Sequence, residues 1–382
     1  MSEPRVAVIR DFRAEGWPSM DLCADQLLAH LPGDAGLLTV DFDPPFRRRA
    51  QRLPLFGRRR AAFNADRLLN RHQFLPTDLR RRARDFDSFH VVDHTYAHVV
   101  LSLPPGRSGV YCHDLDAFRC LLDPARDSRP WWFRWLARRT LAGLRAAAVV
   151  FHNSREVGRQ LIAAELVPSD RLVHAPPGVA EEFVDRPVGL VEPTVPGLVA
   201  GSYLLHVGSN IPRKRIDVVL DVFAALRARF PNLRLVQVGG PWTADLHERI
   251  ERLGIGVAVT QPQGLSRARL AGLYREAAAV LVPSEAEGFG LPVLEALACG
   301  APVVASDLPA LREVGGEATV YCPVADVEVW ARTVDRVLIE SGFAPPRPVR
   351  VRQAAGFTWA KHARIIGEAY LQLVGAHCGS SS

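Results

Sequence analysis

The sequence predicts an α/β chain built as two parallel-sheet domains, and three observations carry that reading. Short apolar runs alternate with helical stretches from the N-terminus onward, the pattern of strands joined by crossover helices. The alternation breaks over residues 181–200, where Pro187, Gly189, Pro193, Pro196 and Gly197 interrupt any regular element, and it restarts at Tyr203. The length, 382 residues, suits two ordinary domains better than one. The expected division is a first domain over 1–180, a linker over 181–200, a second domain over 201–355, and a closing helical segment over 356–382.

Residues 5–9 read as the first strand, followed by a loop with Gly16 and Pro18. A helix is expected over Met20–His30, with Ser19 as its N-cap. Further strands are expected around Phe89–Val92, at Gly109–Cys112 and at Ala147–Phe151, with a helix rich in Trp and Arg over Trp131–Arg145. In the second half, Tyr203–Val207, Leu233–Val238, Val257–Thr260, Val280–Val282 and Pro302–Ala305 read as strands. A helix over Ile216–Arg229 and a last helix over Trp359–Leu373 complete the expectation. Strands of such sheets end in small or polar residues here, which is where open α/β sheets bind ligands.

Composition narrows the function classes. Apolar residues make up 48% and charged residues 23%, as in an ordinary globular chain. No run reaches the roughly 18–20 apolar residues of a membrane span. The N-terminus enters a strand directly, so no signal peptide is expected and the chain reads as cytoplasmic. The six cysteines are scattered without metal-type pairing, which points to free thiols and no bound metal. The net charge of +6 is almost all arginine, and thirteen arginines stand between Arg47 and Arg84 against only Asp66 and Asp78. That run reads either as a solvated helix face or as a basic patch for an anionic membrane, an anionic acceptor or nucleic acid. Trp131, Trp132 and Trp135 among Arg134, Arg138 and Arg139 read either as core packing or as a membrane-interface face.

The densest chemistry lies in Pro283-Ser284-Glu285-Ala286-Glu287-Gly288-Phe289-Gly290-Leu291-Pro292-Val293-Leu294-Glu295. An apolar strand precedes it and a helix over Val293–Cys299 follows, with Pro292 suited to the first helical position. A strand, a glycine turn and a helix start make a phosphate site from unpaired N–H groups and the helix dipole. Glu295 is expected on the first helical turn, within reach of a ribose, and Glu287 in the turn itself.

This segment resembles the retaining nucleotide-sugar glycosyltransferases of family 4, which have the GT-B fold. The resemblance runs from Glu287 through Glu295 to Cys299-Gly300-Ala301-Pro302-Val303-Val304. It includes Val207-Gly208-Ser209 with Arg213-Lys214, Glu313-Val314 and Phe357-Thr358-Trp359-Ala360-Lys361, and so covers roughly residues 203–375. It implies two Rossmann-like domains facing a central cleft, with the C-terminal helix crossing back to the first domain. It also implies a metal-independent hexosyltransferase that retains anomeric configuration and uses a nucleotide-diphosphate sugar of GDP-mannose or UDP-glucose type. The acceptor would be a saccharide or a lipid-linked saccharide of cell-surface glycan synthesis.

By the same resemblance Glu295 binds the ribose and Glu287 contacts the donor sugar. The backbone of Gly288, Phe289, Gly290 and Leu291, with the side chains of Arg213 and Lys214, holds the diphosphate, and Gly264 lies near the base. Ser209 stands where many family members carry arginine, which leaves Arg213 and Lys214 as the expected clamp. In the first half the resemblance persists at His113-Asp114-Leu115, Asn153-Ser154 and Pro177-Gly178-Val179. His113 is expected to contact the sugar or orient the attack, and Gly16 to approach the diphosphate or acceptor. Asp41-Phe42-Asp43, Asp85-Phe86-Asp87 and Asp114-Leu115-Asp116 look like metal-binding triplets of the other major transferase fold, but the fold signals point elsewhere. Two other classes are weighed: a nucleotide-sugar epimerase sharing the fold, disfavoured by the two glutamates with Lys214, and an arginine-rich nucleic-acid binder, disfavoured because no recognition helix or aromatic-basic strand is present.

Overall fold

The computed structural model describes residues 3–34, 36–53, 60–184 and 197–379. The chain divides into two units, Met1–Gly178 with Trp359–Ser382, and Val179–Thr358. Most of the expected linker lies outside the described residues.

The first unit holds β1 (Arg5–Ile9), β2 (Leu38–Phe42), β3 (Ser88–Val91), β4 (Ser108–Cys112), β5 (Val149–His152) and β6 (Leu172–His174). They form one sheet in the order β2-β1-β3-β4-β5-β6, with every pairing parallel. Strands β3, β4 and β5 are buried along their whole length, as expected of strands covered by helices on both faces. Phe89, Val91, Val110 and Val150 lie at the centre of that core. The closing helix Trp359–Gly379 belongs to this unit. Its Tyr370 hydroxyl donates to the Phe89 carbonyl at 3.1 Å and meets His90 Nδ1 at 3.0 Å, so the helix is tied to β3 by buried polar contacts.

The second unit holds β7 (Tyr203–Val207), β8 (Arg234–Val238), β9 (Val259–Thr260), β10 (Ala279–Val282), β11 (Val303–Ser306) and β12 (Val320–Cys322). Their order is β12-β11-β10-β7-β8-β9, again all parallel. Each sheet runs outward in both directions from one pair of neighbours, β1 and β3 in the first and β7 and β10 in the second. At such a reversal the connections leave to opposite faces, and a crevice opens beyond the carboxyl ends of the two strands.

Several element boundaries differ from expectation for identifiable reasons. The first helix is Pro18–Asp34 and begins without a Ser19 cap. Pro18 occupies the first position, where its missing N–H costs nothing, and the Trp17 carbonyl accepts from Met20 and Asp21. The helix after the glycine turn is Leu291–Ala298, so Pro292 is its second residue and Glu295 lies in its second turn, not its first. The last helix continues to Gly379. The Trp-rich helix, Trp131–Ala146, buries Ala137, Thr140, Leu141, Gly143 and Leu144. Trp131 is 80% exposed, and Trp132 and Trp135 are about half exposed, so these rings are not core. Among the described residues no helix is long and apolar enough to cross a membrane.

Candidate active site

The crevice of the second sheet is built from two loops that local sequence dictates. After β7 the chain passes Gly208 and Ser209 into a single helical turn, Pro212–Lys214. Gly239, at the end of β8 with φ +148°, lies so close to this loop that a Cβ there would meet the Gly208 carbonyl oxygen at 1.9 Å. Only glycine fits that approach. After β10 come Pro283 to Gly290. Gly290, with φ +109°, caps the helix Leu291–Ala298, and a Cβ on it would strike the Leu311 side chain.

The two loops bring Lys214 and Glu287 together. Lys214 Nζ lies 2.6 Å from Glu287 Oε1, and Ser284 Oγ donates to the same oxygen at 2.7 Å. Arg213 donates to the Ala286 carbonyl at 3.2 Å and stands 3.9 Å from Glu287 Oε2. The Glu285 N–H returns a bond to the Arg213 carbonyl at 2.9 Å, which locks one loop to the other. Neighbouring His206 is buried. Burial pushes its pKa down to about 4, partly offset by the bond between Nδ1 and the Leu281 carbonyl, so it adds no charge beside Lys214. An ammonium retains two further N–H donors after pairing with Glu287. In the helix start Pro292 has no N–H and the Val293 and Leu294 N–H groups bond to the Gly290 carbonyl, so the Leu291 N–H is the helical amide that can join the ammonium in receiving an anion.

Glu295 faces a second partner. Tyr274, fully buried on the helix Arg267–Glu276, donates its hydroxyl to Glu295 Oε2 at 2.9 Å. Burial raises the Glu295 carboxyl to about 7, and the tyrosine bond only partly opposes it. Phe289 contributes backbone rather than a ring, because its side chain is buried edge-to-face on Phe357 at 5.8 Å. Gly264 sits in an exposed turn after β9, two strands from β7 in the sheet order, with φ +65°.

His113 and Gly16 belong to the first unit, in its own crevice region. Gly16 has φ +71° and ends the turn Arg13–Glu15 that follows β1. His113 follows β4. Its Nε2 donates to the Val92 carbonyl at 2.9 Å, since a carbonyl only accepts, and burial lowers its pKa. The ring is therefore neutral, with Nδ1 as the remaining acceptor.

Sequence reasoning passed over several groups here. Asp11 after β1 and Asp93 after β3 are both buried at the β1–β3 reversal. Burial and then the Asp93 charge push Asp11 well above the carboxylate range. Asp93 is depressed, because pairing with His94 outweighs burial. His94 Nδ1 faces both Asp93 Oδ1 at 3.1 Å and the His113 N–H at 3.3 Å; burial opposes the charged ring, but the Asp93 carboxylate outweighs it and the His94 pKa is raised. Asp11 and His94 carried no motif. Ser284 stood inside the noted run without a role, and nothing in the sequence marked Tyr274.

The three Asp-x-Asp triplets are spent on structure. Asp41 takes Arg10, Asp43 takes Arg13, Asp85 takes Arg82, Asp87 accepts from the Arg5 N–H, Asp114 accepts from the Asp116 N–H, and Asp116 takes Arg119.

Two doubly wound parallel sheets, the second with a lysine–glutamate pair and a helix start at its strand reversal, define a GT-B protein. Its overall fold is similar to sucrose-phosphate synthase from Thermosynechococcus elongatus, with TM-score 0.73, 21% identity, and coverage of 98% of this chain and 100% of that one. It is likewise similar to Anabaena Alr3699/HepE in complex with UDP and glucose, with TM-score 0.71, 16% identity, and coverage of 97% and 100%. Residues 200–355, most of the second unit, match the family of glycosyl transferases group 1. Among curated relatives, a D-inositol 3-phosphate glycosyltransferase of Stackebrandtia nassauensis is 34% identical over 243 residues, 58% of this chain and 53% of that protein. The serotype-specific mannosyltransferase WbdA of Escherichia coli is 27% identical over 294 residues, 71% of this chain and 34% of that protein. The chain thus spans about a third to a half of the length of these two relatives.

Proposed function

We propose that the protein is a retaining hexosyltransferase that takes its sugar from a nucleotide diphosphate and works without a metal or cofactor. The observation that carries this is the Lys214–Glu287–Ser284 constellation beside the start of the helix Leu291–Ala298. When the bond between the anomeric carbon and the diphosphate breaks, negative charge grows on the leaving oxygen. The Lys214 ammonium, the Arg213 guanidinium and the Leu291 amide are set to receive that charge, which lowers the barrier. Glu287 faces the sugar, and Glu295, once ionised, accepts two ribose hydroxyls. The acceptor oxygen bonds to the anomeric carbon, and its proton passes to the departing phosphate. His113, neutral and fixed through Nε2, orients the attack.

Relatives named as a mannosyltransferase and as an inositol phosphate glycosyltransferase, with a fold neighbour bound to UDP and glucose, support a GDP-mannose or UDP-glucose type donor and a saccharide acceptor of surface-glycan synthesis. A nucleotide-sugar epimerase would leave the donor's nucleotide attached, so release of nucleoside diphosphate during turnover separates the two readings. A thermal-shift screen against UDP, GDP and ADP sugars tests the site. One nucleotide family stabilises the wild type, and Glu295→Ala abolishes that gain. If no nucleotide stabilises the protein, the assignment falls.

The exposed Trp131, Trp132 and Trp135 beside Arg138 favour peripheral contact with an anionic bilayer at the cytoplasmic face, which would present a lipid-linked acceptor. Co-sedimentation with phosphatidylglycerol vesicles, lost in Trp131→Ala/Trp132→Ala/Trp135→Ala, checks this; equal sedimentation of the two proteins sinks it.

A further inference from the structure

The loop after β2 carries Arg47, Arg48, Arg49 and Arg52 within six residues, and it is held far more firmly than a solvated basic run requires. Two buried side chains pin its backbone from below. Asp66, fully buried on the helix Arg60–Leu69, accepts from the N–H of Arg49 at 2.8 Å, Ala50 at 2.7 Å and Gln51 at 3.0 Å. Burial raises the Asp66 pKa, but the three amides outweigh it and the net shift is downward, so the carboxylate stays charged. Asn70, also fully buried and one helical turn on, accepts from the Arg47 N–H at 2.8 Å and donates to the Arg47 carbonyl at 2.8 Å. A buried carboxylate and a buried amide are costly unless such bonds are complete. The sequence places both of them four residues apart to hold this one loop.

Arg47 and Arg49 lie over the Phe74 ring at 4.7 and 4.9 Å, and Arg47 also pairs with Asp78 at 2.6 Å. Arg48 and Arg52 are exposed and have no ion pair among the described residues. Together with Phe46 and Gln51 these four arginines line a hollow of about 680 Å³. The loop stands beyond the carboxyl end of β2, on the ligand edge of the first sheet. Its Phe46 ring packs edge-to-face on Phe12 at 5.5 Å, next to the turn that ends in Gly16.

We infer that Arg47–Arg52 form a preorganised cradle for a phosphate-bearing group, a phosphomonoester or diphosphate, carried by the acceptor. Planar guanidiniums match phosphate oxygens in pairs, and a pinned backbone removes the ordering cost of gathering like charges. The cradle is separate from the donor clamp at Arg213 and Lys214. Its assignment to the acceptor rests on the hexosyltransferase reading, whereas its affinity for phosphate does not.

The test uses the full chain carrying Arg213→Ala/Lys214→Ala, so that the donor clamp no longer binds phosphate. Inorganic pyrophosphate is titrated calorimetrically at fixed ionic strength. One pyrophosphate should bind, and adding Arg48→Ala/Arg52→Ala should weaken it at least tenfold. Adding Arg81→Ala/Arg84→Ala, which removes as much charge from exposed positions of the same basic run, should change it less than twofold. Phosphatidylglycerol vesicles form the second arm. Vesicle binding that needs Arg48 and Arg52 alongside pyrophosphate binding places the phosphate on a lipid, and pyrophosphate binding alone places it on a soluble acceptor. No pyrophosphate binding, equal loss in both charge variants, or binding to vesicles only overturns the cradle. In the otherwise wild-type chain, Arg48→Ala/Arg52→Ala should leave nucleotide binding unchanged. Nucleotide binding that is absent from wild type, while the pyrophosphate site persists, refutes the transferase reading and not the cradle.

Discussion

Replacing Glu295 with glutamine should abolish a pH dependence that the wild-type protein carries through this one carboxyl. The side chain's ordinary pKa is 4.5 and burial raises it to about 7 in the folded protein. Between those values the folded state binds more proton than the unfolded state. Stability therefore falls as pH rises from 4.5 to 7 and is flat beyond, relative to a chain without the group. The shift is about 2.5 units, or about 3 kcal/mol at 1.36 kcal/mol per unit. Solvent reaches part of the side chain, so about 1–2 kcal/mol is the fair expectation. For a domain of this size that corresponds to about 3–6 °C in melting temperature. Measured at pH 5 and pH 8, the difference in Tm between wild type and Glu295→Gln should move by that amount, with the variant gaining at pH 8. Ribose hydroxyls donate to the ionised form, so nucleotide affinity of the wild type should rise between pH 6 and 7.5 while that of the variant stays flat. Parallel melting curves and parallel binding curves would refute the assignment of Glu295 as a buried, titrating ribose acceptor.

Other consequences can be checked alongside. Tyr274→Phe removes the one hydroxyl that the structure gives to Glu295, which should cost about 1 kcal/mol by denaturant unfolding and move the pH midpoint of nucleotide binding upward. Lys214→Met leaves the nearly buried Glu287 carboxylate with Ser284 and the more distant Arg213, and should lower turnover about 100- to 1,000-fold while costing about 1–3 kcal/mol of stability. Gly239→Ala drives a Cβ into the Gly208 carbonyl and should give insoluble protein or lose more than about 3 kcal/mol; a well-folded variant with wild-type Tm would count against the packing described. Asp66→Ala leaves three amides without an acceptor and should cost about 2–4 kcal/mol. Because the Asp66 pKa is depressed below 3.8, its contribution is present above that pH and is lost as pH falls through the lower folded value, which acid unfolding of the two proteins should show.

The parts of the site legible in the sequence were those written in adjacent residues. The apolar runs before Gly208 and Pro283 marked strands, because a strand buried on both faces has to be apolar throughout. The glycine turn with Pro292 marked a helix start, and the spacing of Glu287 and Glu295 followed from it. What escaped were partners brought from afar. Lys214 and Glu287 are 73 residues apart, and their ion pair exists because parallel β7 and β10 put both loops at the same sheet edge. Tyr274 is buried core on a stretch the sequence left unmarked, and its hydroxyl faces Glu295.

The same division runs through the first unit. Its arginine run was plain in composition, and composition left it between a solvated face and an anion site. Only Asp66 and Asn70, folded back beneath the loop, show which arginines are held in place and which are merely exposed. The Trp-rich helix was also plain, but whether its rings faced core or solvent depended on which stripe of the helix met the segment His94–Ser102. The sequence by itself determined the α/β class, the position of the glycine turn and the two carboxylates. The tertiary structure decided their partners, charge states and accessibility, since those depend on burial and on contacts between residues that the chain keeps far apart.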